Sequence, residues 1–163
     1  MPQNSQTGDY VIIVHGLGRT WRSMKKPQKF LQEKGYGVLN FNYPSTKHSI
    51  EILSQDHLEQ FIQTYCQDQG KKLHFLTHSM GGILVRTYLK HTTLGNLGRV
   101  VMLAPPNQGS IVVDQLRDKT WFKTLDGPAG QQLGQGPEGI ASRLGPVTYP
   151  VGIVAGNRSS VWD

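Results

Sequence analysis

The sequence lacks several features that would assign it to a protein class directly. It has one cysteine, Cys66, in 163 residues, so no disulfide can form within the chain. No apolar run approaches the roughly 18 residues of a membrane-spanning helix. The polar start, Met1 to Ser5, lacks the charged-then-apolar pattern of a signal peptide. We therefore expect a cytoplasmic protein without a transmembrane segment, in which Cys66 is a buried structural thiol.

Charge is scarce, and it is mostly positive. Charged side chains make up 17% of the residues, and 17 lysines and arginines against 11 carboxylates give a net charge of +6. These cations are scattered over the predicted helices and loops without forming a stripe. We therefore expect no nucleic-acid partner, although the charge favours a mild attraction to anionic membrane surfaces.

Metal and nucleotide motifs are also missing. No pair of histidine, cysteine or carboxylate side chains has ligand spacing on one predicted element, so we predict no metal site. The loop from His15 to Thr20 fits neither Gly-x-Gly-x-x-Gly nor the phosphate-binding Gly-x-x-x-x-Gly-Lys pattern. The sequence therefore predicts no cofactor.

The sequence does contain a regular alternation of short apolar runs and segments with helical periodicity. Strands are predicted over residues 10–14, 37–43, 72–77, 99–104 and 151–155, and helices over residues 21–34, 49–67, 80–91 and 111–125. Strands that alternate with helices predict an α/β fold with a mostly parallel sheet of about five strands. We expect one domain over residues 1–163.

Three details of this pattern can be compared directly with a structure. Pro27 lies inside the first helix, which must therefore begin late or bend there. The long helix has an apolar face formed by Leu53, Leu58, Phe61, Ile62 and Tyr65. The glycine- and proline-rich stretch over residues 127–146 shows little periodicity and is predicted to be irregular.

The most informative segment is Thr77 to Gly82, which reads Thr-His-Ser-Met-Gly-Gly between a predicted strand and a predicted helix. A serine at the tip of a sharp strand-to-helix turn is called a nucleophile elbow, and its usual pattern is Gly-x-Ser-x-Gly. Thr77 replaces the first glycine, while Gly81 and Gly82 leave room for the helix to pack closely. We predict that Ser79 is a catalytic nucleophile and that His78 belongs to the supporting motif.

A second motif, His15-Gly16-Leu17-Gly18, directly follows the first predicted strand. Glycines at this point let backbone N–H groups turn inward. Such a loop donates one N–H group to an oxyanion hole, which stabilises the negative charge on a reacting carbonyl oxygen. The second donor is the residue after the nucleophile, here Met80.

The predicted topology brings the two motifs together. In an open parallel sheet, ligands bind at the carboxyl ends of strands where the strand order reverses. The glycine loop follows the first strand, and Ser79 follows the third. If the second strand lies on the far side of the first, Ser79 and its oxyanion donors share one crevice.

Four segments, HGLGRT, YPST, HSMGGILVR and LAPPNQGS, together resemble bacterial α/β-hydrolases of the lipase and esterase type. The resemblance extends from Tyr10 to about Asn157. It implies a three-layer α/β sandwich and the hydrolysis of a small-molecule ester or lipid-like substrate. Ser79 would attack the ester carbonyl, and the N–H groups of Leu17 and Met80 would bind the oxyanion.

The resemblance also implies an apolar cleft for the acyl group. The side chains of Leu17 and Met80 would line it, with Tyr43 and Pro106 beside them. His15, Gly16 and Gly18 belong to the loop motif that shapes the oxyanion hole. Thioesterases, amidases, acyltransferases and haloperoxidases share the fold, so the acyl and alcohol groups of the substrate stay open.

The sequence departs from the family pattern in its last part. The catalytic residues of the family follow in the order serine, aspartate or glutamate, histidine, whereas no histidine follows His91 here. We therefore expect a C-terminally incomplete, truncated hydrolase without its last strand, last helix and catalytic histidine. His15 and His78 are poor substitutes, because His15 shapes its loop and His78 points away from its neighbour.

Asp163 and Asp114 are weak candidates for the catalytic acid, because one is the last residue of the sequence and the other fits a helix surface. Three functions therefore stay open: a serine ester hydrolase of doubtful activity, an inactive truncated product, and a non-catalytic module that binds an acyl or ester group. We also expect the strand over residues 151–155 to be an exposed edge through which the chain can self-associate.

Overall fold

A five-stranded parallel sheet forms the centre of the computed structural model, which describes residues 8–110, 127–137 and 139–155. The strands are β1 (Tyr10–Val14), β2 (Gly37–Phe41), β3 (Leu73–His78), β4 (Leu97–Leu103) and β5 (Val151–Val154). Their order is β2-β1-β3-β4-β5, and every neighbouring pair is parallel. The predicted α/β fold and its parallel sheet are confirmed, and the strand order reverses between β1 and β3.

Helices cover both faces of this sheet. They are α1 (Lys25–Glu33), α2 (Ile50–Ile52), α3 (Glu59–Tyr65), α4 (Met80–His91) and α5 (Ile140–Leu144), with a 3-10 helix at Trp21–Met24 and a π-helix at Leu53–Leu58. A further helical turn covers residues 127–131. The predicted irregularity of residues 127–146 was therefore wrong in part, and the predicted helix over residues 111–125 lies outside the described residues.

Pro27 sets the start of α1, as the sequence predicts. It is the third residue of α1, after the separate 3-10 helix. The first four N–H groups of a helix have no partner within the helix, so a proline there removes no hydrogen bond. Gly35, with φ of 88°, ends the helix in the left-handed conformation that glycine adopts without strain.

The long helix begins at Ser49, whose hydroxyl accepts a hydrogen bond from the Ile52 N–H at 3.4 Å. In its second half the buried positions step by four residues, from Leu58 to Ile62 and Cys66. Tyr65 lies beside this line and is 55% exposed, with its ring against Phe61. The prediction that Tyr65 lies on the inner face was therefore wrong.

Two hydrophobic cores define the three layers. The larger core lies between the sheet and the helices α2, α3, α4 and α5, and its fully buried members include Ile12, Phe75, Ile83 and Val100. The smaller core lies under α1 and contains Val11, Ile13, Met24 and Val38. Cys66 is buried in the larger core, as predicted, and burial raises the pKa of its thiol to about 11. No helix in the described ranges is both long and apolar enough to traverse a bilayer.

The outer strand β5 is much less covered than the other strands. Within the described part of the chain it pairs with β4 alone. Ile153 and Val154 keep 54% and 58% of their surfaces exposed. An edge strand of this kind carries unpaired N–H and C=O groups on its outer side.

Candidate active site

Ser79 occupies a strained turn between β3 and α4. Its φ of 52° and ψ of −126° lie in a region that residues with a side chain rarely adopt. Such strain costs about 1–3 kcal/mol and persists only where the surrounding structure enforces it. Here the Ser79 N–H donates to the Leu103 carbonyl at 2.9 Å, which fastens the turn to β4. No hydrogen bond within the described residues engages the Ser79 hydroxyl.

Two glycines allow α4 to lie close behind this serine. A methyl group placed on Gly81 would lie 2.6 Å from the Val14 carbonyl oxygen and 2.8 Å from that of His15. A methyl group on Gly82 would lie 3.2 Å from Pro105 Cβ. Position 81 therefore admits only glycine, because the obstructing atoms belong to the backbone.

The loop after β1 lies directly against the turn. A methyl group on Gly16 would lie 3.1 Å from Ser79 Cβ, so the two backbones approach as closely as side chains allow. The Gly18 N–H donates to Ser45 Oγ at 3.0 Å, which ties the loop to the segment after β2. The structure therefore brings the Gly16–Gly18 loop and Ser79 together at the reversal point of the strand order.

The two backbone groups predicted as oxyanion donors lie on either side of this contact. Met80 is the first residue of α4, and the first N–H groups of a helix have no partner within it. Leu17 is the residue after Gly16 and is partly exposed. No hydrogen bond between described residues uses the Leu17 N–H. Both groups are therefore available to an anion in the crevice.

His15 is committed to shaping the loop. It is fully buried, its ring stacks on Tyr43 at 4.2 Å between centroids, and its Nε2 accepts the Tyr43 N–H at 3.4 Å. The Tyr43 hydroxyl donates to the His15 carbonyl at 2.6 Å. Burial lowers the pKa of His15, with the hydrogen bond to Gly16 opposing this in part. The partners of the ring are therefore its own loop and Tyr43, and not Ser79.

His78 lies beside the serine without bonding to it. Its Nδ1 would lie 3.2 Å from a methyl group on Gly16, so the ring packs against the loop. Burial, and to a smaller degree the positive charge of Arg19, lower the pKa of His78. No hydrogen bond joins the His78 ring to the Ser79 hydroxyl in the described structure. A neutral imidazole is chemically suited to accept a proton, but this one is not positioned to do so.

The other histidines lie elsewhere. His74, near the start of β3, accepts the Arg99 N–H at 2.9 Å and lies 3.5 Å from Asp9, at the opposite end of the strand from Ser79. The rings of His48 and His57 pack together at 5.2 Å. His91 is exposed at the end of α4. The two carboxylates predicted as acid candidates, Asp114 and Asp163, lie outside the described residues.

Two side chains expected to line an acyl cleft are in the core instead. Met80 is fully buried within the larger core. Tyr43 is 4% exposed, because its ring is stacked between His15 and Phe41. Both were wrong as cleft-lining side chains. In the described ranges, no group of three or more metal-ligating side chains comes together.

Sequence analysis missed the residues that hold the loops around the crevice. Ser45 binds the glycine loop, and Arg86 on α4 is almost fully buried. The Arg86 guanidinium donates to Asn107 Oδ1 at 2.9 Å and to the Gly145 carbonyl at 2.6 Å. It thereby fastens two segments that follow β4 to the elbow helix. A charged residue in a helical pattern is normally solvated, so the sequence carries no signal for this role.

A parallel sheet with a strained serine between its third strand and the following helix, facing a glycine loop after the first strand, defines the α/β-hydrolase class. The sequence profile of the alpha/beta hydrolase family matches residues 11–158, and the chain belongs to this family. No curated protein sequence matches the chain.

Several solved structures have the same fold. Phospholipase PlaB from Legionella pneumophila is similar with a TM-score of 0.71 and 21% identity, over 83% of this chain and 34% of that one. The mature lipase BlEst2 from Bacillus licheniformis has a TM-score of 0.66 and 20% identity, over 85% of this chain and 58% of that one. The monoacylglycerol lipase from Paleococcus ferrophilus has a TM-score of 0.52 and 24% identity, over 69% and 49%. The chain thus spans less than two thirds of the length of each.

Proposed function

We propose that this chain carries the nucleophile and the oxyanion hole of a serine carboxylic-ester hydrolase. The observation that carries the proposal is the close approach of Gly16 to Ser79. A methyl group placed on Gly16 would lie 3.1 Å from Ser79 Cβ. This contact supports a site in which the Ser79 hydroxyl lies near the backbone N–H groups of Leu17 and Met80. A carbonyl carbon within reach of the hydroxyl would have its oxygen beside both donors.

The reaction would proceed through an acyl enzyme. Ser79 Oγ bonds to the ester carbonyl carbon, and the electron pair of the C=O bond moves to the oxygen, which the N–H groups of Leu17 and Met80 bind. The alcohol then leaves with the serine proton, and water releases the acid in a second step. The similarity to lipases and a phospholipase favours lipid-like esters as substrates.

The proposed reaction also needs a general base to accept the proton of Ser79, and no histidine among the described residues is bonded to this serine. Neither His15 nor His78 is bonded to Ser79, and no histidine follows His91 in the sequence. Removal of the histidine from a serine hydrolase costs on the order of 10⁶ in kcat and leaves roughly 10³ to 10⁴ over the uncatalysed reaction. The chain of 163 residues should therefore work near this residual rate.

The rate of p-nitrophenyl acetate hydrolysis tests this proposal. The native chain should exceed the Ser79→Ala variant, while Ser142→Ala, a change at an exposed serine on α5, should equal the native chain. Equal rates for the native chain and Ser79→Ala would refute the nucleophile. An ordinary enzymatic kcat of about 10 s⁻¹ would show that a base operates and that the residual-rate argument is wrong.

The same missing base supports a second candidate, a non-catalytic module that binds an acyl or ester group. This candidate predicts no hydrolysis above that of Ser79→Ala, together with saturable binding of a non-hydrolysable ester analogue such as an alkyl ketone. Leu17→Pro, which removes one N–H donor, should weaken that binding, whereas Leu17→Ala keeps the donor. Absence of both hydrolysis and binding would favour the remaining hypothesis, an inactive protein.

A further inference from the structure

Five residues lie together on one surface beside the candidate active site, four of them within residues 19–25 and the fifth, Lys47, distant in sequence. Trp21, Arg22 and Lys25 belong to the 3-10 helix and the start of α1, Arg19 to the loop before them, and Lys47 to the loop after β2. We call this surface the basic rim, made of Arg19, Trp21, Arg22, Lys25 and Lys47. All five side chains are exposed.

The basic rim borders the crevice of Ser79. Arg19 and Lys47 line a shared cavity of about 430 Å³ together with Gly18 of the oxyanion loop. Arg19 is also near enough to His78, the neighbour of Ser79, for its charge to act on that ring. An object bound at the rim would therefore lie against the opening of the crevice.

The backbone of Trp21 is anchored by two hydrogen bonds, and the residue is partly exposed. Its backbone N–H donates to Asn42 Oδ1 at 3.2 Å, and its backbone carbonyl accepts from Asn40 Nδ2 at 3.0 Å. The whole residue is 37% exposed, and Lys25 Nζ and Arg22 Cζ lie 4.7 Å and 5.7 Å from the centroid of its ring. An indole bordered by cations combines apolar area with positive charge, which suits the boundary between lipid headgroups and acyl chains.

The cations of the rim form no ion pair with another described residue. Residues 16–26 and 42–48, which carry the rim, contain no aspartate or glutamate. The ion pairs found in the described residues, Lys29–Glu33 and His74–Asp9, include no residue of the rim. Four cations without an ion-pair partner in the described part of the chain are electrostatically complementary to a surface of negative charge.

We propose that the basic rim docks the protein onto the anionic phospholipid surface of a membrane. The docking would hold the opening of the Ser79 crevice against the lipid, a consequence that rests on the proposed function, whereas the docking itself does not. A nucleic acid would also meet the four cations, but the partly exposed indole of Trp21 among them favours the boundary between lipid headgroups and acyl chains.

Co-sedimentation with vesicles tests the docking. The full chain should bind vesicles of phosphatidylcholine mixed with phosphatidylserine, bind pure phosphatidylcholine vesicles much less, and lose binding as salt is raised. Arg22→Ala with Lys25→Ala should weaken binding about thirtyfold, since each cation near an anionic surface contributes roughly fivefold. Lys72→Ala with Arg99→Ala removes the same charge at the amino ends of β3 and β4 and should bind nearly as well as the native chain.

Fluorescence locates the contact independently. With Trp121 and Trp162 replaced by phenylalanine, Trp21 is the only tryptophan left, and its emission should shift to the blue when anionic vesicles are added. No shift, or equal losses in the two double variants, would overturn the proposal. Binding to a DNA duplex that depends on Arg22 and Lys25, without binding to vesicles, would overturn it in favour of a nucleic-acid partner.

A further variant separates this inference from the proposed function. Ser79→Ala should bind vesicles as the native chain does, and the Arg22→Ala, Lys25→Ala variant should hydrolyse soluble p-nitrophenyl acetate at the native rate. Vesicle binding without any Ser79-dependent hydrolysis would refute the proposed function and keep the docking. Ser79-dependent hydrolysis without vesicle binding would refute the docking and keep the proposed function.

Discussion

The turn that carries Ser79 and the edge strand β5 differ in burial, as two isoleucines show. Ile83, on α4 just behind Ser79, is fully buried, whereas Ile153, on β5, keeps 54% of its surface exposed. The elbow is enclosed by β1, β3 and α4, while within the described residues β5 has one neighbouring strand. The turn that carries Ser79, the proposed nucleophile, is thus built into the core.

This contrast separates the two halves of the proposed catalytic site, which depend on different strands of the sheet. The proposed nucleophile and the proposed oxyanion donors follow β1 and β3, the two strands at the reversal of strand order. The acid and base of the family come from segments after later strands, where the described structure is least buried. A rigid nucleophile does not require that these later segments be in place.

The largest expected effect comes from shortening the two isoleucines. Ile83→Ala opens a cavity in the core and should cost about 4 kcal/mol of unfolding free energy. Ile153→Ala removes atoms that are mostly in water and should cost less than about 1 kcal/mol. Urea unfolding of both variants measures the difference. Equal losses of unfolding free energy would show that β5 is as well covered in solution as the Ser79 turn, and would contradict the difference in burial between the two regions.

A smaller effect is expected from adding a methyl group to a glycine in each region. Gly81→Ala forces a methyl group to within 2.6 Å of the Val14 carbonyl oxygen, so we expect a loss of about 2 kcal/mol. Gly152→Ala on β5 meets its nearest atom at 3.9 Å and should change stability by less than about 0.5 kcal/mol. Unfolding midpoints in urea provide the measurement. A harmless Gly81→Ala would mean that α4 does not approach β1 as closely as described.

The smallest effect concerns pH. Burial lowers the pKa of His15 and His78 from the ordinary value of 6.5. The unfolded chain therefore binds more protons than the folded chain just below that pH, so this stability is complete above it and declines as the pH falls. His78→Gln should make stability less dependent on pH between about 7.5 and 5. An unchanged dependence in His78→Gln would contradict the burial of His78.

The sequence predicted the sheet and the elbow well, because both depend on local patterns. β-branched runs such as Tyr10–Val14 and the Thr77–Gly82 turn carry their geometry in consecutive residues. The strand order itself was only a condition in the sequence analysis, and the structure meets it, because β2 lies on the far side of β1 from β3.

Long-range packing explains what the sequence did not predict. The ring of Tyr43 is buried because it stacks between His15 and Phe41, and Met80 is buried because it belongs to the larger core. Arg86 has the sequence pattern of a surface residue, and only the folded chain places Asn107 and Gly145 within its reach. The addition of Lys47 to the basic rim likewise depends on the fold, because Lys47 is distant in sequence from the other four residues.

The most direct test of the central claim, that Ser79 is a preformed nucleophile beside an oxyanion hole, is to map the site of covalent labelling by a fluorophosphonate. After prolonged reaction of the native chain, peptide mass spectrometry should find the phosphonate on Ser79, and the folded Ser79→Ala variant should remain unlabelled. Labelling should be slow, because no histidine is bonded to the hydroxyl. Phosphonate found on another residue, or equal labelling of Ser79→Ala, would contradict the account.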